Sequence, residues 1–188
     1  MAINRRIFLK SIIGAGLTSS LITEPLLAYA QATDVVDFWY KNRTIELVRA
    51  DNREKMSLPF FRNGQYDTEV YKAACWLLRD AKDMNQMIQM DIGVMNLMYA
   101  LQEWARLAGV SNPLITVNSA YRTARRNATI ENAARNSMHI RGQAVDITMR
   151  GITIEQLATM AKYFQVGGVG TYNSFVHIDT GRIRNWRG

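Results

Sequence analysis

Ser137-Met138-His139-Ile140-Arg141-Gly142-Gln143-Ala144-Val145-Asp146-Ile147 is the stretch on which the reading of this chain turns. It holds one of only two histidines in 188 residues. The other, His177, lies in Phe175-Val176-His177-Ile178-Asp179-Thr180-Gly181. Each stands beside a run with the two-residue apolar period of a half-buried strand, and each has a glycine nearby. Histidine, aspartate and histidine are donor types of an open zinc site, in which three protein ligands leave a fourth position free.

Alternation assigns the faces. Phe175, His177 and Asp179 share one side of their strand, with Val176 and Ile178 on the other. In residues 144–149, Asp146 faces opposite Val145 and Ile147. Gly142 lets the chain carrying His139 bend back toward Asp146. If the two strands pair, His139, Asp146 and His177 can meet at about 2.0–2.2 Å from one Zn²⁺. A single histidine beside a strand reads more simply as a hydrogen-bonded structural residue. The only two in the chain, both beside strands and acidic groups, shift the reading to metal.

Moving outward, the length suits one domain with a real core. A hydrophobic content of 48% excludes a disordered chain. The sole cysteine, Cys75, rules out an internal disulfide and a cysteine-rich zinc site, and it falls in a helical apolar pattern as a small core residue. Residues 1–30 read as an address. Asn4-Arg5-Arg6-Ile7-Phe8-Leu9-Lys10 is a twin-arginine pattern, a moderately apolar run follows to Leu27, and Ala28-Tyr29-Ala30 offers small residues for cleavage. An uncleaved anchor is the competing reading, but a spanning helix needs about 20 strongly apolar residues. We therefore expect a signal peptide over 1–30, cleavage near Ala30, export through the twin-arginine translocation machinery to the periplasm, and no stable membrane span afterwards. Loss of Arg5, Arg6, Lys10 and Glu24 lowers the net charge from +7 to +5. In an exported protein that balance points to cell-wall polymer with free carboxylates rather than nucleic acid.

Within residues 31–188, 35–40 and 44–48 read as two strands joined by a Lys41-Asn42-Arg43 hairpin, and 57–64 as turn-rich. Asp67 or Thr68 can cap a helix whose apolar face is Val70, Ala73, Ala74, Leu77, Leu78 and Ala81, leaving Arg79, Asp80, Lys82 and Asp83 largely outside it. A second helix runs from about Asp91 to Ala108 and ends at Gly109, with Met95, Met98, Leu101 (or Gln102) and Ala105 inside. Met84, Met87, Met90, Met95 and Met98 read as core fillers rather than soft-metal ligands. Strands follow at 114–118 and 144–149. Thr153 and Gln156 form a capping box for a helix through Phe164, and 166–170 is a turn into a final strand, 175–179. Without regular βαβ alternation, the class is α+β, a single domain with a mainly antiparallel sheet flanked by helices.

Ser137 to Asp146 resembles the Ser-x-His-x-x-Gly-x-Ala-x-Asp motif of zinc peptidases, the group that includes D-Ala-D-Ala carboxypeptidases and relatives of lysostaphin and Sonic hedgehog. Phe175 to Gly181, with Arg184 and Trp186, is similar to a subgroup of twin-arginine-exported murein endopeptidases, formerly a domain of unknown function. Gly64-Gln65-Tyr66, Leu78-Arg79-Asp80, Ser119-Ala120-Tyr121-Arg122 and Gly167-Gly168-Val169-Gly170 extend the resemblance over nearly all of 31–188. It implies zinc held by His139, Asp146 and His177, a peptidoglycan substrate, and Arg122 binding a substrate carboxylate or steadying an oxyanion. Ser137 is expected to hydrogen-bond near the metal or to cap a turn, and Tyr172 to support the oxyanion or pack at the rim. Many relatives carry a base two or three residues before the last ligand. Phe175 and Ser174 stand there and cannot serve. Asp179 is left as the candidate base or as a group orienting a ligand, with a buried pair to Arg182 or Arg184 as the alternative. A non-catalytic wall-binding protein, a murein carboxypeptidase and an amidohydrolase of another substrate are the competing functions.

Overall fold

The computed structural model describes residues 35–188 apart from Asn132, so the expected signal peptide lies outside the described residues. The elements, in chain order, are helix α1 (Val35–Tyr40), strands β1 (Arg43–Arg49), β2 (Lys55–Arg62) and β3 (Gln65–Tyr66), helices α2 (Thr68–Leu77) and α3 (Ile92–Leu107), strand β4 (Ile115–Ser119), the short helix α4 (Ala124–Asn127), a 3-10 turn (Met138–Arg141), strand β5 (Ala144–Met149), helix α5 (Ile154–Phe164) and strands β6 (Gly168–Thr171), β7 (Val176–Asp179) and β8 (Arg184–Arg187). The eight strands form one sheet in the order β3-β2-β1-β4-β5-β7-β6-β8. All neighbouring pairs are antiparallel except β1/β4 and β6/β8. The class is α+β, one domain with a mainly antiparallel sheet flanked by helices. No helix among the described residues is long and apolar enough to cross a membrane.

Four expectations need correction. Residues 35–40 form a helix rather than the first arm of a hairpin; a six-residue apolar run fits either periodicity. Residues 57–64 are mostly strand: Pro59 is accommodated because the β1/β2 register slips between Arg43 and Ile45, opposite it. A bulge is where a strand tolerates a residue without an N–H. Residues 168–171 are strand β6, and β8 follows the strand expected to be last. Met84 and Met87 are exposed, whereas Met90, Met95 and Met98 are core.

The core lies between helices α2, α3 and α5 and the sheet face carrying Ile45, Leu47, Ile115, Val117, Val145, Ile147, Val176 and Ile178. Cys75 is buried within it. Helix α3 is buried around nearly its whole girth rather than along one stripe. Its polar Gln102 is satisfied there, donating to the Glu46 and Pro113 carbonyls at 2.9 and 2.8 Å and accepting from the Glu46 N–H at 3.0 Å. Asp67 caps α2, and Thr153 and Gln156 complete the capping box of α5, each side-chain cap contributing about 1 kcal/mol. Asp91 caps α3 through Oδ1 to the Gly93 N–H at 2.7 Å, while its Oδ2 accepts from the Thr180 hydroxyl at 2.8 Å. One carboxylate thus ties the start of the central helix to the end of β7.

Candidate active site

The site begins with two strands. Antiparallel pairing sets Asp146 on β5 directly opposite His177 on β7. Val145, Ile147, Val176 and Ile178 point into the core, so Asp146, His177 and Asp179 share the opposite face. His139 arrives from the 3-10 turn. Ser137 caps that turn, its Oγ accepting from the His139 N–H at 3.3 Å. Gly142 ends the turn at φ +67°, where a Cβ would lie 3.0 Å from the Gln89 carbonyl oxygen, so both backbone and space favour glycine.

Three donor atoms converge. His139 Nε2 is 3.2 Å from Asp146 Oδ1 and 3.1 Å from His177 Nδ1, and His177 Nδ1 is 2.8 Å from Asp146 Oδ1. All three residues are buried. The outer ring nitrogens have their own partners: His139 Nδ1 lies 2.6 Å from the Ala120 carbonyl oxygen, and His177 Nε2 lies 3.1 Å from Asp179 Oδ2. Both acceptors favour an N–H on the outer nitrogen and a lone pair on the inner one. Tetrahedral donors at a Zn–N distance of 2.0–2.1 Å stand about 3.3 Å apart. Two inward lone pairs and a carboxylate at nearly that spacing fit such an ion.

The electrostatics differ among these groups. For Asp146, burial opposes ionisation, but His139 and His177 hold the carboxyl well below its usual range. Burial pushes the His139 imidazole down, against the pull of Asp146. Burial acts the same way on His177, but its hydrogen bonds to Asp146 and Asp179 outweigh it and raise the pKa.

A cavity of about 540 Å³ opens over the cluster. Arg122 lines it, donating from Nε to the Ser119 Oγ at 2.8 Å and pairing through Nη2 with Asp146 Oδ2. Asp146 thus offers one oxygen to the histidines and the other to Arg122. The loop bearing Arg122 is pinned from below. Asp80 accepts from the Thr123 N–H at 3.0 Å and from Arg126 at 3.2 Å, and Asp83 binds the Thr123 hydroxyl and Arg125. Asp80 and Asp83 are buried and clamp this loop from inside, while Arg79, also buried, pairs with Glu54 and Lys82 is exposed.

Tyr172 and Phe175 stack at 4.5 Å and also line the cavity, and Tyr172 Oη accepts from Trp186 Nε1 at 3.0 Å. Asp179 does not line the cavity and is fully buried. Besides His177, it accepts from the Gly168 and Gly181 N–H groups at 2.9 and 2.8 Å and from Arg184. Its contacts are with His177 and Arg184, and it is set back from the cavity. Glu131 does line the cavity. Nothing in the polar loop around Glu131 marks which side chain faces a cavity.

Comparisons with known proteins extend over nearly all of the described residues. The model of a peptidase family described as Peptidoglycan L,D-endopeptidase MepK matches residues 39–186. The chain is 30% identical over 191 residues to the probable peptidoglycan L,D-endopeptidase MepK of Haemophilus influenzae, covering 98% of this chain and 96% of that protein. It is 29% identical to the peptidoglycan L,D-endopeptidase MepK of Escherichia coli K12, covering 97% of each. The chain belongs to this peptidase family.

Proposed function

From that membership and the geometry of the cavity, we propose that the protein is a zinc-dependent murein endopeptidase that hydrolyses amide bonds in peptidoglycan peptides or crosslinks during wall remodelling. The observation that carries the reading is the convergence of two imidazole nitrogens and one carboxylate oxygen, from His139, Asp146 and His177, on the floor of an open cavity. Bound there, zinc would supply Lewis-acid polarisation of the scissile carbonyl and an acidified water as nucleophile.

The chain's own residues do the rest. Asp179 fixes the His177 ring so that Nδ1 faces the site, and the Ala120 carbonyl does the same for His139 Nε2. Arg122 braces Asp146 and keeps further N–H groups at the cavity wall to bind a substrate carboxylate or the developing oxyanion. The Tyr172 hydroxyl accepts from Trp186, which leaves its proton to donate toward substrate. Ser137 acts one step back, holding the turn that delivers His139. Tyr172 and Phe175 form a flat wall that narrows the approach and excludes water from one side.

We further propose that residues 1–30 are a twin-arginine signal and that the mature protein works in the periplasm; the motif in residues 4–10 supports this. An Arg5→Lys/Arg6→Lys protein retained in the cytoplasm would support the route, and normal export of that variant would refute it.

The deciding experiment is digestion of purified sacculi by zinc-loaded protein, with products read by mass. Conversion of crosslinked dimers to monomers is expected. Loss of terminal residues only would mark a carboxypeptidase, and products unrelated to wall peptides would mark another amidohydrolase. A non-catalytic wall-binding protein is the second reading, favoured by Phe175 and Ser174 at the usual base positions and by the burial of Asp179. It predicts an unchanged muropeptide profile after His177→Ala with sacculus binding retained.

A further inference from the structure

The strand pairings around β6 gather His177, Trp186 and Arg184 together, and the proposed chemistry leaves Arg184 unused. Parallel pairing of β6 with β8 sets Gly168 beside Arg184 and Gly170 beside Trp186. Antiparallel pairing of β6 with β7 sets Gly170 beside His177. Because Gly170 has no side chain, Trp186 reaches over it and its ring lies 5.2 Å from the His177 ring. A Cβ on Gly170 would stand 2.6 Å from that indole. Arg184 sits under the same indole, 4.9 Å from its centroid.

The Arg184 guanidinium grips Asp179 as a fork, Nη2 to Oδ2 at 2.7 Å and Nη1 to Oδ1 at 3.2 Å. Two backbone N–H groups hold Oδ1, while Oδ2 is shared by Arg184 and His177. The carboxylate therefore carries five donors on two oxygens and has no freedom to turn. Space around it is equally committed: a Cβ on Gly168 would lie 2.5 Å from both Arg184 Nη1 and Asp179 Oδ2. Without the fork, the oxygen facing His177 would be held by the imidazole alone.

We infer that Arg184 is a positioning residue for metal binding, acting through Asp179 to fix the orientation of the His177 ring. The inference rests on the zinc reading above and adds a residue three links from the ion. Arg184 also lines the cavity, with 31% of its side chain exposed, so a direct contact with substrate is the competing role.

The two roles separate in measurement. Zinc affinity of the metal-free full-length protein is measured by competition with a chromogenic chelator, for wild type, Arg184→Gln and Arg184→Lys. Loss of an outer partner of a metal-bound histidine typically costs 10–100-fold. We expect Arg184→Gln to weaken zinc binding about tenfold. Arg184→Lys should fall between the two, because an ammonium cannot reproduce the fork. With only two histidines in the chain, ¹⁵N spectra resolve each ring, and at a pH where both rings are neutral His177 should change from a predominantly Nε2–H tautomer to a mixture in Arg184→Gln. At saturating zinc the KM for a muropeptide should stay near wild type. Zinc affinity within twofold of wild type overturns the inference, as does a raised KM with zinc affinity unchanged, which would make Arg184 a substrate contact. If Arg184→Gln lacks a cooperative melt, Arg184→Lys carries the test. A wild-type protein that binds no zinc defeats the metal reading itself, and the control shows which of the two has failed.

Discussion

The two histidines face the same point but are held by different means. His139 turns its outer nitrogen to the Ala120 carbonyl, whereas His177 turns its own to the Asp179 carboxylate. A main-chain acceptor carries no formal charge and survives any side-chain substitution. A carboxylate brings charge, needs partners of its own, and can be deleted. The His139 side is therefore robust to mutation, and the His177 side can be tuned.

The largest effect should erase the contrast. Structural zinc sites bind with about 10–16 kcal/mol, roughly 3 kcal/mol per ligand over four, or about a hundredfold in affinity for each one lost. His139→Ala and His177→Ala should each cost about that much, together with muropeptide hydrolysis, as read by chelator competition and product masses. Equal losses would place both rings on the metal.

Asp179→Asn should then expose the asymmetry. Zinc affinity should fall about 10–100-fold, while Ala120→Ser, which leaves the carbonyl in place, should remain within about twofold of wild type. If both variants bind alike, the carboxylate has no special role. Gly168→Ala tests the same side sterically. Its Cβ would meet Arg184 and Asp179 at 2.5 Å, and overpacking of this kind costs about 1–3 kcal/mol, seen as a lowered melting temperature.

The smallest effect is in titration. In metal-free protein, NMR should find His177 titrating above the ordinary histidine value of about 6.5 and His139 below it. Their contributions to stability run in opposite directions with pH. A raised pKa gives His177 a stabilising contribution that is complete below about pH 6.5 and disappears as pH rises through its folded value. A lowered pKa gives His139 one that is present above about pH 6.5 and disappears as pH falls through its folded value. Identical midpoints would mean that the two surroundings are electrostatically equivalent.

What the sequence disclosed follows the same division between side chain and backbone. Strand 144–149, the capping box of 153–156 and the helix from about Asp91 to Ala108 were legible because alternation and caps are local. The facing of Asp146 and His177 followed from period-two patterning once the strands were paired. Ala120 could not be foreseen, because a carbonyl oxygen leaves no mark in the residue that carries it. Strands β6 and β8 were hidden for another reason. Gly168 and Gly170 read as turn residues, yet they are glycines because Arg184, Asp179 and Trp186 occupy the space a side chain would need. The burial of Asp80 and Asp83, which stand outside the apolar helical face, depends on distant partners that the local pattern does not show, here Thr123, Arg125 and Arg126.

The register that sets Asp146 opposite His177 has a consequence for how the protein would live with its ion. The donors are brought together by ordinary strand pairing over an apolar core, so the fold does not wait for metal as a small zinc finger does. Occupancy then becomes an equilibrium imposed on a finished protein. At a free-ion concentration a hundred times the dissociation constant it would add about 2.7 kcal/mol to stability, and stripping it would return an intact, rechargeable molecule. On the zinc reading, such a protein would act as a gauge of the ion around it, its output rising and falling with supply.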